Sequence, residues 1–149
     1  MTDVLAAAAA AVGALCPNAP PVLVDAITLA AEERPILADD GRRTAVLLAV
    51  TAFAESSCRA DALGDRGRSA GFFGLWCGTP ARCAIVVADP FGSARIARDM
   101  LATSLTVCRA RPPAERLGLY LGSTCAAGLP QSRYRWWLFS RLARREAAS

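Results

Sequence analysis

The chain has 149 residues, the size of one ordinary domain, and its 54% hydrophobic and 20% charged residues exclude intrinsic disorder. No apolar run approaches the length of about 20 residues that a membrane-spanning helix needs. The chain contains neither His nor Lys, which excludes His-based triads, His-ligated metals, a P-loop lysine and Schiff-base chemistry.

Carboxylates, thiols and two Tyr are left as acid–base groups, and no metal-ligand pattern or cofactor motif is present. The net charge of +4 is carried by the last twenty residues, where Arg133, Arg135, Arg141, Arg144 and Arg145 face Glu146 alone. Such a basic end suits an acidic polymer, a cell wall or a nucleic acid, or is simply a solvated helix face.

Taken in chain order, residues 4–16 are apolar enough for a signal-peptide core. Asp3 precedes them and no basic residue does, which is wrong for a secretory leader, so residues 3–15 read as an Ala-rich helix. Pro20 and Pro21 open a second helix with the stripe Leu23, Ile27, Ala30 or Ala31, ending before Pro35. Residues 36–43, around Asp39, Asp40 and Gly41, read as a turn. From Ala45 to Ala54 every residue but Thr51 is apolar, a run too continuous for a surface helix and too rich in Ala for a strand, so a central buried helix is expected.

Residues 59–92 carry six glycines and two prolines and read as a loop or small hairpin insert. Ser93 can cap a helix with core face Ile96, Met100 and Leu101. Pro112 and Pro113 open another through Leu117 and Tyr120. A last helix from about Ser132 to Arg145 buries Tyr134, Trp137, Leu138 and Leu142. The expected fold is mainly α, with a central buried helix and a small Gly-rich insert. The expected organisation is a single domain: a helical segment 1–19, a core 20–142 and a basic tail 143–149. Cys16, Cys58, Cys77, Cys83, Cys108 and Cys125 permit several disulfide pairings, Cys77 with Cys83 closing the shortest loop, or act as buried thiols. Disulfides imply a site of action in an oxidising compartment.

Glu55 stands out. It follows ten almost wholly apolar positions, at the C-terminal end of the expected buried helix. Burial disfavours its anion, and the helix dipole places negative potential there. Both favour a carboxylic acid that keeps its proton, the environment of a general acid. The plainer alternative is an exposed Glu at a frayed helix end.

The following residues read Ala54-Glu55-Ser56-Ser57-Cys58, then Gly64-Asp65-Arg66-Gly67-Arg68-Ser69-Ala70-Gly71-Phe72-Phe73-Gly74. This block resembles the lysozyme-like superfamily, especially goose-type lysozymes and soluble lytic transglycosylases. In these families a catalytic Glu at the end of a buried helix is followed by G-D-x-G-x-x-x-G, two apolar residues and a Gln. Gly74 stands where that Gln is expected. Leu119-Tyr120-Leu121-Gly122 is similar to the family's Y-N-A-G segment, with Leu121 in place of Asn.

The resemblance implies a lysozyme-like α+β fold and cleavage of the bond between N-acetylmuramic acid and N-acetylglucosamine, with Glu55 protonating the glycosidic oxygen. A transglycosylase needs no second carboxylate; a hydrolase would recruit one, and Asp65 is the candidate, with Asp61 behind it. Asp65 before its Arg-Gly pair is equally a turn residue. Ser56 and Ser69 are expected to orient Glu55 or the sugar acetamido groups, or to cap locally. Gly71 lets backbone approach the glycan, and Phe72, Phe73, Trp76 and Tyr120 line the cleft or pack the insert on the core. The implied partner is a peptidoglycan strand at the bacterial cell wall or periplasm, reached without a secretory leader, as a phage-associated protein beside other particle proteins. No specific nucleic acid and no membrane span are expected. Two other readings stay open: a structural or binding virion component with the same fold and degraded activity, and a disulfide-stabilised helical binding domain unrelated to glycans.

Overall fold

A computed structural model of the chain describes residues 2–38 and 40–148. It is mainly helical with one small sheet: α1 (Asp3–Leu15), α2 (Pro21–Glu33), α3 (Gly41–Ser56), β1 (Leu63–Gly64), β2 (Ser69–Ala70), β3 (Leu75–Trp76), α4 (Pro80–Ala88), α5 (Pro90–Val107), a 3₁₀ turn (Pro113–Glu115), α6 (Gly118–Leu121) and α7 (Leu129–Ala147). Helix α3 is the axis. Ala45 through Val50 and Ala52 are at most 1% exposed, and α1, α2, α5 and α7 pack around it. The small residues of α1 (Ala7, Ala8, Ala11) let that helix lie close against α3. Asp40 caps α3 by accepting the N–H of Arg42 at 2.9 Å; the other half of the expected turn, Asp39, lies outside the described residues.

The sheet is an antiparallel meander in the order β1-β2-β3, with Gly64 opposite Ser69 and Ser69 opposite Trp76. The insert is shorter than its glycine content suggests. Thr79 and Asp89 are N-caps and Pro80 and Pro90 first-turn prolines, so α4 and α5 occupy its second half. Three disulfides close the structure: Cys16–Cys58, Cys77–Cys83 and Cys108–Cys125. The first ties the end of α1 to the turn just after α3. The second, the pair expected from its short loop, holds β3 to α4.

Three expected faces are corrected. In α5 the cap is Asp89, and Ser93 lies inside the helix, donating to the Val86 carbonyl at 3.0 Å. Its buried face is Ala94, Ala97, Arg98 and Leu101, while Ile96 and Met100 are exposed. Buried Arg98 is held by the Ala30 carbonyl at 2.9 Å and the Asp99 carboxylate at 2.8 Å, which is how a helix face can carry a guanidinium inward. Residues 112–121 do not form one helix. Ser104 Oγ donates to the Arg116 carbonyl and accepts from Leu119 N–H, and Ser132 Oγ accepts from Leu117 N–H. These buried hydroxyls take over the backbone partners a continuous helix would use. In α7 the buried stripe is Ser132, Arg135, Phe139 and Leu142; Tyr134 and Trp137 face outward.

Removing the Cys16–Cys58 link, with 42 residues of separation, frees a long loop in the unfolded chain. The Cys16→Ala/Cys58→Ala variant is expected to lose about 4 kcal/mol by the chain-entropy relation, read as a lower denaturant midpoint under non-reducing conditions. An unchanged midpoint would show that this link is absent in solution.

Candidate functional site

Glu55 occupies the last turn of α3, where the helix leaves the core. Its side chain is 23% exposed, and its Oε1 accepts from Arg135 Nη1 of α7 at 2.6 Å. The Arg135 side chain is 10% exposed, so the pair is largely shielded and correspondingly stronger than a surface ion pair. The carboxyl expected to stand without a counter-charge is therefore paired with a largely buried guanidinium.

The chain reverses directly after Glu55. Ser57 and Cys58 both adopt left-handed backbone (φ 52° and 60°), and the Cys16–Cys58 disulfide anchors the reversal. Ser56 is buried. Its single hydroxyl proton is shared between the carbonyls of Phe72 at 2.7 Å and Ala52 at 2.9 Å, and its oxygen accepts from Arg59 N–H. It pins the insert to the end of α3 and has no bond to Glu55.

The glycine-rich segment does fold against Glu55, through one position. Gly74 has φ 59°, and a Cβ placed there would lie 2.6 Å from Glu55 Oε2. Only glycine combines that backbone angle with that approach. Where the resembled families have Gln, this chain has the one residue that lets the carboxylate sit against the insert backbone. Gly71, at φ 79°, turns the chain after β2 and packs on Val86 of α4, away from the carboxylate.

The remaining expected residues are dispersed. Asp65 is exposed in the β1–β2 turn, has φ 50°, and accepts the Ser69 hydroxyl at 2.7 Å; no hydrogen bond or ion pair joins it to Glu55. Ser69 is buried and spends its hydroxyl on that turn. Phe72 and Phe73 are buried core residues, so what they offer the site is backbone rather than ring faces. Trp76 is exposed, with the Arg68 guanidinium 5.5 Å from its ring centroid. Tyr120 reaches in from α6 and donates its hydroxyl to the Phe73 carbonyl at 2.9 Å. Burial first, and the negative Glu55 second, push its ionisation far above the usual tyrosine range, so it stays a neutral donor near the carboxylate.

Sequence reasoning missed Arg135. The signal was present as the 3-4-3 spacing of Ser132, Arg135, Phe139 and Leu142, but the aromatic stripe one register away outweighed it. Beside the ion pair lies a groove of about 500 Å³, open to solvent and lined by Phe53, Ala54, Ser57, Gln131, Tyr134 and Arg135. Tyr134 stacks with Trp137 (centroids 6.1 Å, 25° between planes), and Arg141 lies 5.6 Å from the Trp137 centroid. The groove wall thus continues into an exposed aromatic ledge, a surface suited to the apolar faces of sugar rings. A hollow of about 370 Å³ at the opposite end of α3 holds Arg42, Arg43 and Arg144 but neither of the paired groups at the Glu55 end.

Gly74→Ala is expected to cost roughly 1–3 kcal/mol and to push the Glu55 carboxylate off its seat, seen as a lower unfolding midpoint together with a moved Glu55 in a crystal structure. Ser56→Ala should destabilise by about 1–3 kcal/mol, because the Phe72 carbonyl loses its partner. A fully stable Ser56→Ala protein would return Ser56 to a ligand-facing role.

Among the described residues no group of acidic or Cys side chains is placed to hold a metal ion, and no helix is long and apolar enough to cross a membrane. No family model, curated protein or solved structure matches the chain.

Proposed function

We propose that the chain is a peptidoglycan-cleaving enzyme of lysozyme-like type, with Glu55 the acid that protonates the glycosidic oxygen between N-acetylmuramic acid and N-acetylglucosamine. The observation that carries the reading is the seat of Glu55. Its carboxyl leaves the end of a buried helix, sits against the backbone of a glycine-rich insert at Gly74, and is bonded to Arg135, which with the neighbouring Ala54 lines an open groove bordered by an aromatic ledge.

In this reading the sugar passes through an oxocarbenium-like state as the bond breaks. Asp65 is occupied by Ser69 in its own turn, which favours the route that uses one carboxyl. The muramic acid C6 hydroxyl attacks C1, its proton returns to Glu55, and a 1,6-anhydro end is left. Tyr120, a neutral donor bound to the Phe73 carbonyl, keeps the insert against the Glu55 end of α3. The three disulfides suit an oxidising place of action such as the cell wall or periplasm, and delivery by a phage-derived particle is compatible with it.

The second reading is a structural or binding virion component with degraded activity. The Glu55–Arg135 ion pair favours it, because the carboxyl is engaged by a side chain of the same protein rather than left for a ligand.

The two separate in one assay. Incubated with purified peptidoglycan, the wild-type protein is expected to release anhydro-ended muropeptides. Glu55→Gln should lower the rate about 10²–10⁴-fold while keeping the fold. Equal release by both proteins sinks the catalytic assignment, and binding without release by either supports the second reading.

A further inference from the structure

We infer that Arg135 is a substrate-sensing positioning residue, one that grips the Glu55 carboxyl while the groove it lines is empty and releases it to a carboxylate borne by the glycan itself. This rests on the proposed glycan-cleaving role of Glu55 and specifies which strands that site accepts. Arg135 is buried at its stem but lines the groove, and it gives Glu55 a single N–H, from Nη1 at 2.6 Å. Its side chain lines the groove at 10% exposure, and the one hydrogen bond it makes among the described residues is that to Glu55. A planar guanidinium that spends one N–H on a protein carboxylate keeps a further donor edge with which to take a second carboxylate. The charged and titratable groups that face Glu55 are Arg135 from α7 and Tyr120 from α6; the insert contributes the Gly74 backbone.

The chemistry that fits that further edge is the O-lactyl carboxylate of muramic acid. In strands that carry stem peptides this group is an amide; in peptide-free strands it is a free anion; in chitin, built of N-acetylglucosamine alone, it is absent. When the lactyl carboxylate engages Arg135, the hydrogen bond that pins Glu55 is released, leaving its carboxyl free to carry a proton to the glycosidic bond. That proton passes to the glycosidic oxygen as the C1–O bond breaks, and the C6 hydroxyl that closes on C1 returns one to Glu55. The protein therefore favours peptide-free muramyl strands.

The test compares kcat/KM on three probes, peptide-free peptidoglycan strands, peptide-bearing strands and chitin oligosaccharides, for wild type, Arg135→Gln, Arg135→Lys and Glu55→Gln. Wild type is expected to prefer the peptide-free strands by about ten- to a hundredfold over the other two. Arg135→Gln should collapse that ratio towards one, and Arg135→Lys should recover part of it. A merely structural role would lower all three rates together and leave the ratio alone. Glu55-dependent cleavage with no preference, or a preference that survives Arg135→Gln, overturns the inference and leaves the proposed function standing. No Glu55-dependent cleavage of any probe overturns both. If Arg135→Gln fails to fold, the Arg135→Lys ratio decides: an unchanged ratio at a retained fold counts against the inference, a reduced one for it.

Discussion

The contact between Arg135 Nη1 and Glu55 Oε1, 2.6 Å long and bridging 80 residues of sequence, joins the last helix to the end of the central one. Neither group could stay where it is alone. A carboxylate largely removed from water at a helix C-terminus meets both desolvation and the dipole, and a guanidinium in the core face of α7 would be an uncompensated buried charge. Together they are tolerated; deleting either side chain would leave the other costly, whereas Glu55→Gln keeps an oxygen that Arg135 can bind. Around this pair the rest of the site is arranged. Gly74 lets the carboxylate seat against the insert, Ser56 fastens the insert to α3, and the Cys16–Cys58 disulfide fixes the reversal that follows.

The fold supplies this pair with rigidity from one side and access from the other. Helix α3 is buried from Thr44 to Ala52, so the direction in which Glu55 emerges is set by packing rather than by a mobile loop. The groove beyond it is open and bordered by Tyr134 and Gln131 from α7. The basic charge at the C-terminal end lies on that same helix.

The helices were legible where one physical signal dominated. The apolar run from Ala45 to Ala54, interrupted by Thr51 alone, called for a buried helix, and the prolines at 20 and 21 for a helix start; α3 and α2 lie there, with Phe53 and Ala54 half-buried at the end of the run. Legibility failed where two signals competed. In α7, large aromatics drew the core stripe onto Tyr134 and Trp137, yet the buried register carries Ser132 and Arg135, polar residues whose burial is justified only by partners far away in sequence: Leu117 N–H and Glu55. Burial of a charge depends on its counter-charge, and no local pattern encodes that. The position of Glu55 in the last turn of α3 was legible from its place after the apolar run. Asp65 and Ser69 were marked by their motif positions, and the structure shows the two satisfying each other within a hairpin turn, an outcome turn residues reach by local bonding alone.

The most direct measurement is a crystal structure of the Glu55→Gln protein with a peptide-free muramyl oligosaccharide. The account predicts the saccharide in the groove beside Tyr134, with the side chain at position 55 within hydrogen-bonding distance of a glycosidic oxygen and the Arg135 guanidinium on a lactyl carboxylate. A saccharide bound elsewhere, or one in the groove with Arg135 still turned wholly to position 55, would contradict it.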